Sequence, residues 1–304
     1  MAERYQEWSI GIYSGASPYH LEGPEGVQNP VLTSRSITDI PALFVADPFL
    51  LRQADTWYMF FEVMHAGTEH GEIGLATSPD GRQWQYQQIV LRESFHLSYP
   101  YVFAWAGAYY LVPESYQAGG VRLYQADHFP YDWRCIATLL EGPYFADASL
   151  LYAGDTWWMF VDTSADMQHH TLRLYYAHTL TGPWCEHPHS PLIAQNPHIA
   201  RPGGRVIVAD NRLTRFTQDC APTYGNQVRA FEIVTLTPTY YAERAAGQQP
   251  VLTASGSGWN ADGMHHVDPQ QLGSESWLAS VDGFRWREAA TEVRPATVAE
   301  RRGP

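Results

Sequence analysis

Cysteine is scarce in this 304-residue chain, and its spacing argues against two kinds of site. The three cysteines, Cys135, Cys185 and Cys220, are odd in number, far apart and outside any CxxC pattern. Structural zinc sites and disulfide frameworks both use cysteines at closer, recurring spacings. Neither feature is therefore predicted.

Long apolar runs are also missing. No stretch of 18 apolar residues occurs, so no membrane-spanning helix is predicted. The N-terminal sequence MAERYQEWSIGIYSG lacks the apolar run of a secretory signal, and we therefore expect a cytoplasmic protein.

Basic residues and common catalytic signatures are few or absent. Nineteen Lys and Arg residues stand against 32 Asp and Glu, which gives a formal net charge of −13. Nucleic acids and anionic membranes require a basic face, so neither is expected as a partner. The chain has no GxSxG, HExxH, GxGxxG or P-loop sequence, which argues against those hydrolases and against nucleotide-dependent enzymes.

Aromatic and aliphatic residues are abundant, and they occur in a repeat. Two segments, FVADPFLLRQADTWYMFFE (44–62) and YFADASLLYAGDTWWMFVD (144–162), match in register, and a third copy covers 98–114. Each copy has an apolar run, a tight turn and an aromatic-rich run, which predicts two strands of a hairpin. The positions that open and close the three copies are Asp47 and Glu62, Tyr99 and Glu114, and Asp147 and Asp162.

The repeat continues through the chain with a period of about 50 residues. Each clear copy is followed by a third strand, a turn, a Trp and a fourth strand, and weaker copies begin near positions 196 and 266. Four-stranded units at this period are typical of propeller blades. We predict an all-β, five-bladed β-propeller over residues 1–290, whose ring is closed by the N-terminal strand (8–18) completing the last blade. A polar C-terminal tail is expected over 291–304.

The repeat places acids at one mouth of the central channel. The starts of the inner strands are predicted to be Asp47, Tyr99, Asp147, Asn196 and either His265 or His266. The ends of the second strands are predicted to be Glu62, Glu114, Asp162, Asp210 and Asp282. Carboxylates that face each other across a narrow channel perturb each other's pKa, as acid–base chemistry on a glycosidic bond requires. The alternative is that repeated acids cap the backbone N–H groups of neighbouring strands.

Several other polar residues are candidate substrate contacts. The segment RFTQDCAPTYG (215–225) is polar within a hydrophobic chain, and GMHHVD (263–268) puts two histidines beside the last inner strand. A turn or a salt-bridged loop is the alternative for the first. No cofactor or metal is predicted, although one channel histidine with waters could hold a calcium. His169 and His170 are expected at the surface. The candidate contacts are Glu62, His96, Tyr99, His198, Arg201, Arg215, Gln218, Asp219, Tyr224, His265 and His266.

The chain resembles the five-bladed propellers of glycoside hydrolase family 43. In those enzymes an Asp-Pro opens the first blade and acts as the base, which is matched here by Asp47-Pro48. A second Asp, matched by Asp147, tunes the acid. The resemblance implies a general acid Glu at the start of the fourth blade, but that place reads QNPHIARPGG (195–204). Glu114 or Glu62 could take its role.

A closer resemblance covers nearly the whole chain. FVADPFLL, HLSYPYVF with LVPES, VRLYQADHFP, LTGPWCEHPHSP, RFTQDCAPTYG and GMHHVD are similar to the propeller domain of the glucosamine inositolphosphorylceramide transferase-like family. This resemblance implies a carbohydrate-directed propeller that takes a small-molecule or oligosaccharide substrate.

We therefore predict a carbohydrate-active enzyme that cleaves or transfers a glycosidic bond. Asp47 would be the base or nucleophile, Asp147 the orienting acid and Glu114 the proton donor. Two alternatives stay open: a carbohydrate-binding propeller without turnover, and a biosynthetic enzyme that has recruited the propeller for a different reaction.

Overall fold

The computed structural model describes residues 4–288, which form five antiparallel sheets arranged as the blades of a propeller. Within this range the only helical elements are three short 3₁₀ turns, at Ser34–Ser36, Tyr116–Ala118 and Gly258–Asn260. None of these is long or apolar enough to span a membrane. The predicted all-β, five-bladed architecture is confirmed. The predicted boundary at residue 290 and the tail 291–304 lie outside the described residues.

The strands of each blade follow one another in sequence, except in the closing blade. Blade one consists of β3 (Ala42–Gln53), β4 (Thr56–His65), β5 (Gly71–Ser78) and β6 (Gln85–Leu91), and blade two of β7 (Ser98–Trp105), β8 (Ala108–Glu114), β9 (Gly120–His128) and β10 (Asp132–Glu141). Blade three consists of β11 (Ala146–Ala153), β12 (Thr156–Asp162), β13 (Leu172–Ala177) and β14 (Cys185–Glu186). Blade four consists of β15 (Ile207–Ala209), β16 (Arg212–Asp219), β17 (Gln227–Thr237) and β18 (Tyr240–Ala245), with β19 (Leu252–Thr253) paired to β17. The closing blade consists of β20 (Val267–Gly273), β21 (Ser276–Glu288), β1 (Arg4–Ser17) and β2 (His20–Glu22).

The N-terminal strand closes the ring, as predicted. β1 pairs with β21 along almost its whole length, from Arg4 opposite Glu288 to Gly15 opposite Trp277. The sheet order is β2-β1-β21-β20, so β1 is the third strand of a blade whose inner strands come from the other end of the chain. This pairing provides hydrogen-bond partners for the backbone N–H and C=O groups that the edge of an open ring would expose.

The Trp that follows each third strand fixes the turn before it. The indole N–H groups of Trp84, Trp133 and Trp184 each donate to a backbone carbonyl three or four residues earlier, at 2.9–3.2 Å. The rings also pack between blades, for example Trp133 edge-on against Phe60 at 5.5 Å. The recurring Trp is therefore a structural residue of the blade.

The register of the fourth blade differs from the prediction. Asp210 is exposed in the turn between β15 and β16, and Asp210 and Asn211 both have positive φ. The turn makes β15 the short inner strand and β16 the second strand, which ends in Gln218 and Asp219. Asn196 lies in an irregular segment before the blade. The predictions for Asn196 and Asp210 are therefore wrong, because this blade carries an irregular segment before a short inner strand.

Two polar groups fill the axis of the propeller. The Tyr99 hydroxyl accepts from the N–H of Gly204 at 2.7 Å and lies 2.8 Å from Ser149 Oγ, which joins blades two, three and four. Gly204 has φ of 141°, and an added Cβ would lie 1.8 Å from the Val267 carbonyl oxygen. Only glycine fits this crossing of two backbones.

Arg205 closes the axis further along. Its guanidinium donates to the carbonyls of Leu50 and Val102, at 3.2 and 3.0 Å, and to Asp268 at 2.8 Å. One side chain from blade four thus reaches blades one, two and five.

Candidate active site

The inner strands of the first three blades each contain one residue with the same unusual backbone. Asp47, Tyr99 and Asp147 have φ of 53°, 45° and 54°, and each sits at a break in the register of its hairpin. Residues other than glycine pay about 1–3 kcal/mol for this conformation, which is concentrated at functional sites. The three positions aligned from the sequence are therefore equivalent in conformation.

Asp47 has one free carboxylate oxygen. Its side chain is 7% exposed, and its Oδ2 accepts from the Tyr99 N–H at 3.3 Å. Among residues 4–288, no group forms a hydrogen bond with Oδ1, which lies 3.8 Å from His265 Nε2 and 3.8 Å from His266 Nδ1. Burial raises the pKa of Asp47 to about 7, against the opposing charge of His265 and with the added repulsion of Asp147.

Asp147 is held from the fourth blade. Its Oδ2 accepts from Arg201 Nε and from Gln218 Nε2, both at 2.6 Å. Arg201 also donates from Nη2 to Glu114 at 3.2 Å, so one guanidinium bridges two carboxyl groups. Arg201 occupies part of the segment where the resemblance to family 43 implied a glutamate.

Glu114 and Asp147 form a carboxyl pair. They are joined through Arg201, which donates to both carboxyl groups, and the second oxygen of Asp147, Oδ1, has no hydrogen bond to a described group. Burial, and then the charge of Asp147, hold the pKa of Glu114 well above its usual value, although Arg201 opposes the shift. The raised pKa favours the protonated form of Glu114.

Glu62 lies beside a neutral histidine. His96 Nδ1 accepts from the Gly71 N–H at 2.8 Å, so the ring proton is on Nε2, which lies 3.6 Å from Glu62 Oε1. Burial lowers the pKa of His96 to about 4 and raises the pKa of Glu62 well above its usual value. The predicted reach of His96 to the channel mouth agrees with this geometry.

His169 belongs to the site, although a surface position was predicted for it. Its Nδ1 accepts from Arg201 Nη1 at 2.9 Å and lies 3.5 Å from Asp162 Oδ2, and its side chain is only 18% exposed. Because Arg201 can only donate, the neutral ring carries its proton on Nε2. Burial, and then Arg201, lower the pKa of His169. The sequence around His169 and His170 contains no pattern that predicts a contact with Arg201, which is 32 positions away.

Aromatic rings cover one side of the cluster. Tyr224 lies over Arg201, with 5.3 Å between the guanidinium carbon and the ring centre, and 5.2 Å from the His265 ring. Trp8, from the N-terminal strand, stacks on His265 at 4.2 Å. The strand that closes the ring therefore also supplies a wall of the site.

The fifth blade contributes a saturated carboxylate. Asp282 Oδ1 accepts from His265 Nδ1 at 2.8 Å and from the backbone N–H groups of His265 and His266, and its Oδ2 accepts from the Asp47 N–H at 2.9 Å. Burial acts to raise the pKa of Asp282, but the charge and hydrogen bond of His265, with the smaller effects of His266 and the Asp47 N–H, together lower it.

These contacts do not suit a metal ion. Asp47, His265 and Asp282 carry potential ligand atoms within 4.8 Å of one another. However, the lone pairs of Asp282 are already taken by four N–H groups. Calcium prefers six to eight oxygen ligands, which the two histidines facing Asp47 do not supply.

Two predicted contacts, Arg215 and Asp219, lie away from the cluster. Arg215 is paired with Glu243 at 2.5 and 2.6 Å, and Asp219 accepts from Arg229 and Gln227. Both lie on β16, where alternate side chains point to opposite faces, so that Gln218 reaches Asp147 while Arg215 and Asp219 face the other way. The polar segment was expected to be a loop, which hid this alternation.

Tyr99 and His198 are also placed differently from a substrate contact. The Tyr99 ring is fully buried and its hydroxyl is bonded within the channel, so the prediction of substrate binding is corrected. His198 binds Asp219 at 2.8 Å on the outer side of the fourth blade, and its role stays a prediction.

The fold is shared with carbohydrate-active propellers. A β-1,2-mannobiose phosphorylase from Listeria innocua matches with a TM-score of 0.63 and 12% identity, over 90% of this chain and 96% of that chain. The catalytic domain of a Coprinopsis cinerea GH62 α-L-arabinofuranosidase matches with a TM-score of 0.58 and 14% identity, over 91% of this chain and 97% of that chain. At these identities the likeness establishes the fold alone.

Curated relatives are closer in sequence. Glucosamine inositolphosphorylceramide transferase 1 of Oryza sativa subsp. japonica is 37% identical over 301 residues, and that of Arabidopsis thaliana is 34% identical over 298. The alignments cover 91% of this chain but 40% and 39% of those proteins, so the chain spans about two fifths of their length. Residues 2–284 match the family described as glucosamine inositolphosphorylceramide transferase 1, N-terminal, and the chain belongs to that family.

Proposed function

We propose that this propeller cleaves or transfers a glycosidic bond, with Asp47 as the base and the Glu114–Asp147 pair as the source of the proton. The observation that carries the proposal is the contrast between these carboxyl groups. Asp47 accepts only from a backbone N–H, whereas Glu114 and Asp147 are both bonded to the Arg201 guanidinium.

Asp47 suits the role of a base. Its Oδ1 is buried and has no hydrogen bond to another described group, so it is the acceptor left for a water or a sugar hydroxyl that enters the site. A pKa of about 7 lets Asp47 be ionised in a large fraction of molecules near neutral pH and still take up a proton.

Glu114 suits the role of the acid. Its raised pKa favours the protonated form that a leaving oxygen needs, and Arg201 holds both Glu114 and Asp147, while Gln218 also donates to Asp147. When Glu114 gives up its proton, Arg201 Nη2 is already in contact with the carboxylate and offsets the new charge. Arg201 would thus support an acid on the second blade in place of one on the fourth.

The relatives and the fold neighbours support the class of substrate. The relatives are named glucosamine inositolphosphorylceramide transferase 1, and the two neighbours are named as an α-L-arabinofuranosidase and a β-1,2-mannobiose phosphorylase. All of these names describe making or breaking a bond to a sugar. Whether water or another acceptor takes the sugar depends on the occupant of the Asp47 side of the site.

A binding module without turnover is the second candidate. It is favoured by the short hydrogen bonds of Arg201 and Gln218 to Asp147, which tie the acid pair into the wall of the site.

Hydrolysis of a panel of aryl glycosides, both pyranosides and arabinofuranosides, tests the proposal. Wild type is compared with Asp47→Asn and Glu114→Gln, and with Asp210→Asn as an exposed control on the fourth blade. Activity lost in the first two variants and kept in the control, with all three folded, supports the two-carboxyl mechanism. Wild type that binds sugar by calorimetry without turnover would put the binding module in its place.

A further inference from the structure

His265 lies between two carboxyl groups that belong to different blades. Its Nδ1 is 2.8 Å from Asp282 Oδ1, and its Nε2 is 3.8 Å from the free Asp47 Oδ1. Trp8 stacks on the His265 ring at 4.2 Å and restrains the orientation of the ring plane. The Asp282 carboxylate also accepts from the backbone N–H of His265, which fixes the backbone from which the ring extends.

The hydrogen bonds decide where the protons of this ring are. Asp282 is a saturated acceptor, so Nδ1 carries a proton. In a neutral ring, Nε2 would then carry a lone pair that points toward Asp47 Oδ1. That oxygen also presents a lone pair, and it has no hydrogen-bond donor among the described residues. A proton on Nε2 replaces this repulsion by attraction.

We propose that His265 is a positioning residue. Asp282 anchors His265 as an imidazolium, and this positive charge is the counter-ion that keeps Asp47 ionised. Asp47, rather than another buried carboxyl group, is therefore the base. This inference rests on the proposed function for the role of Asp47. The charge state that it assigns can be measured whether or not the protein turns over a sugar.

The neighbouring histidine provides the contrast. His266 Nε2 is 3.1 Å from the Pro48 carbonyl, which can only accept, so Nε2 carries the proton and Nδ1 is a lone pair 3.8 Å from Asp47. No acid is hydrogen-bonded to the His266 ring within residues 4–288. Two adjacent histidines at the same distance from Asp47 are thus held in different charge states.

The direction of each shift agrees with this assignment. Burial lowers the pKa of both rings, but the charge and the hydrogen bond of Asp282 raise the pKa of His265 above its usual value, while the pKa of His266 falls to about 4. The other titratable groups that act on Asp47 or His265 come from the first four blades: Glu62, Tyr99, Glu114, Asp147, Arg201 and Tyr224. Only Arg201 among these carries a fixed positive charge, and it is bonded to Asp147 and Glu114.

The test is the protonation of Asp47 in the resting protein. The ¹³C carboxyl resonance of Asp47, assigned by its loss in Asp47→Asn, is titrated between pH 5 and 9 in wild type, His265→Asn and His266→Gln. Asn keeps an N–H near the position of Nδ1, and Gln keeps one near the position of Nε2, so each variant retains the anchoring hydrogen bond. We expect the titration midpoint of Asp47 to rise by about one pH unit or more in His265→Asn, a tenfold change, and to stay in place in His266→Gln.

A midpoint that is unchanged or lower in His265→Asn would overturn the inference, as would an equal rise in both variants. If His265→Asn does not fold, the ¹⁵N resonances of His265 in wild type decide: two protonated nitrogens at pH 7 support the imidazolium, and one refutes it. Lack of glycosidase activity would overturn the proposed function but leave this charge assignment standing.

Discussion

Replacing Asp47 by Asn should stabilise the folded protein at neutral and alkaline pH. Burial raises the pKa of Asp47 from 3.8 to about 7, so between these values the folded chain keeps a proton that the unfolded chain releases. The free energy of unfolding therefore falls as the pH rises from about 4 to about 7. At about 1.36 kcal/mol per pH unit, the full cost above pH 7 is roughly 4 kcal/mol.

Asparagine does not carry this cost, but it leaves His265 with Asp282 as the one carboxylate beside its ring. We therefore expect a net gain of about 2 kcal/mol at pH 8 and almost none at pH 4. Urea unfolding followed by tryptophan fluorescence at pH 4, 6 and 8 measures the difference.

Asp282→Asn is the matched control from the same cluster. The pKa of Asp282 is lowered by His265, so Asp282 contributes stability that is present above its unfolded pKa and lost as the pH falls. This variant should be less stable than wild type at pH 8, the opposite sign. An Asp47→Asn variant that is less stable than wild type at pH 8, or a difference that is the same at all three pH values, would refute the reasoning.

Three further substitutions test the scaffold around the site. Arg201→Ala leaves two buried carboxyl groups without their cation and should lower the free energy of unfolding by about 3–5 kcal/mol in chemical denaturation. Arg201→Lys should regain only part of this stability, because lysine cannot bridge both carboxyl groups. A loss below about 1 kcal/mol in Arg201→Ala would contradict the bridge. Tyr99→Phe leaves the N–H of Gly204 without an acceptor and should cost about 1–3 kcal/mol by the same measurement, whereas no loss would mean that another group replaces the hydroxyl. Gly204→Ala puts a methyl group against the Val267 carbonyl and should prevent folding, so a native circular dichroism spectrum would show that the two backbones can separate.

Those parts of the fold that repeat in sequence could be predicted from it. Asp47, Tyr99 and Asp147 were aligned from three copies, and they share both a register break in an inner strand and a positive φ. The N-terminal strand was assigned to the last blade by its likeness to other third strands. Local hairpins carry this information because their turns and alternating patterns lie within a few residues.

The parts of the site that join different blades could not be predicted. Arg201 meets Glu114 and Asp147 across 87 and 54 residues of sequence, and His169 meets Arg201 from a turn that read as surface. The fourth blade was misaligned because it has diverged most from the repeat. The cytoplasmic location stays a prediction.

The filled axis sets the direction in which a ligand can travel. Tyr99 and Arg205 block the channel beyond the carboxyl cluster, while the partly exposed rings of His96 and His169 mark its open side. A polysaccharide chain therefore cannot pass through the ring from one face of the propeller to the other. Under the proposed function, a sugar would enter the site and leave it on the same side, past His96 and His169.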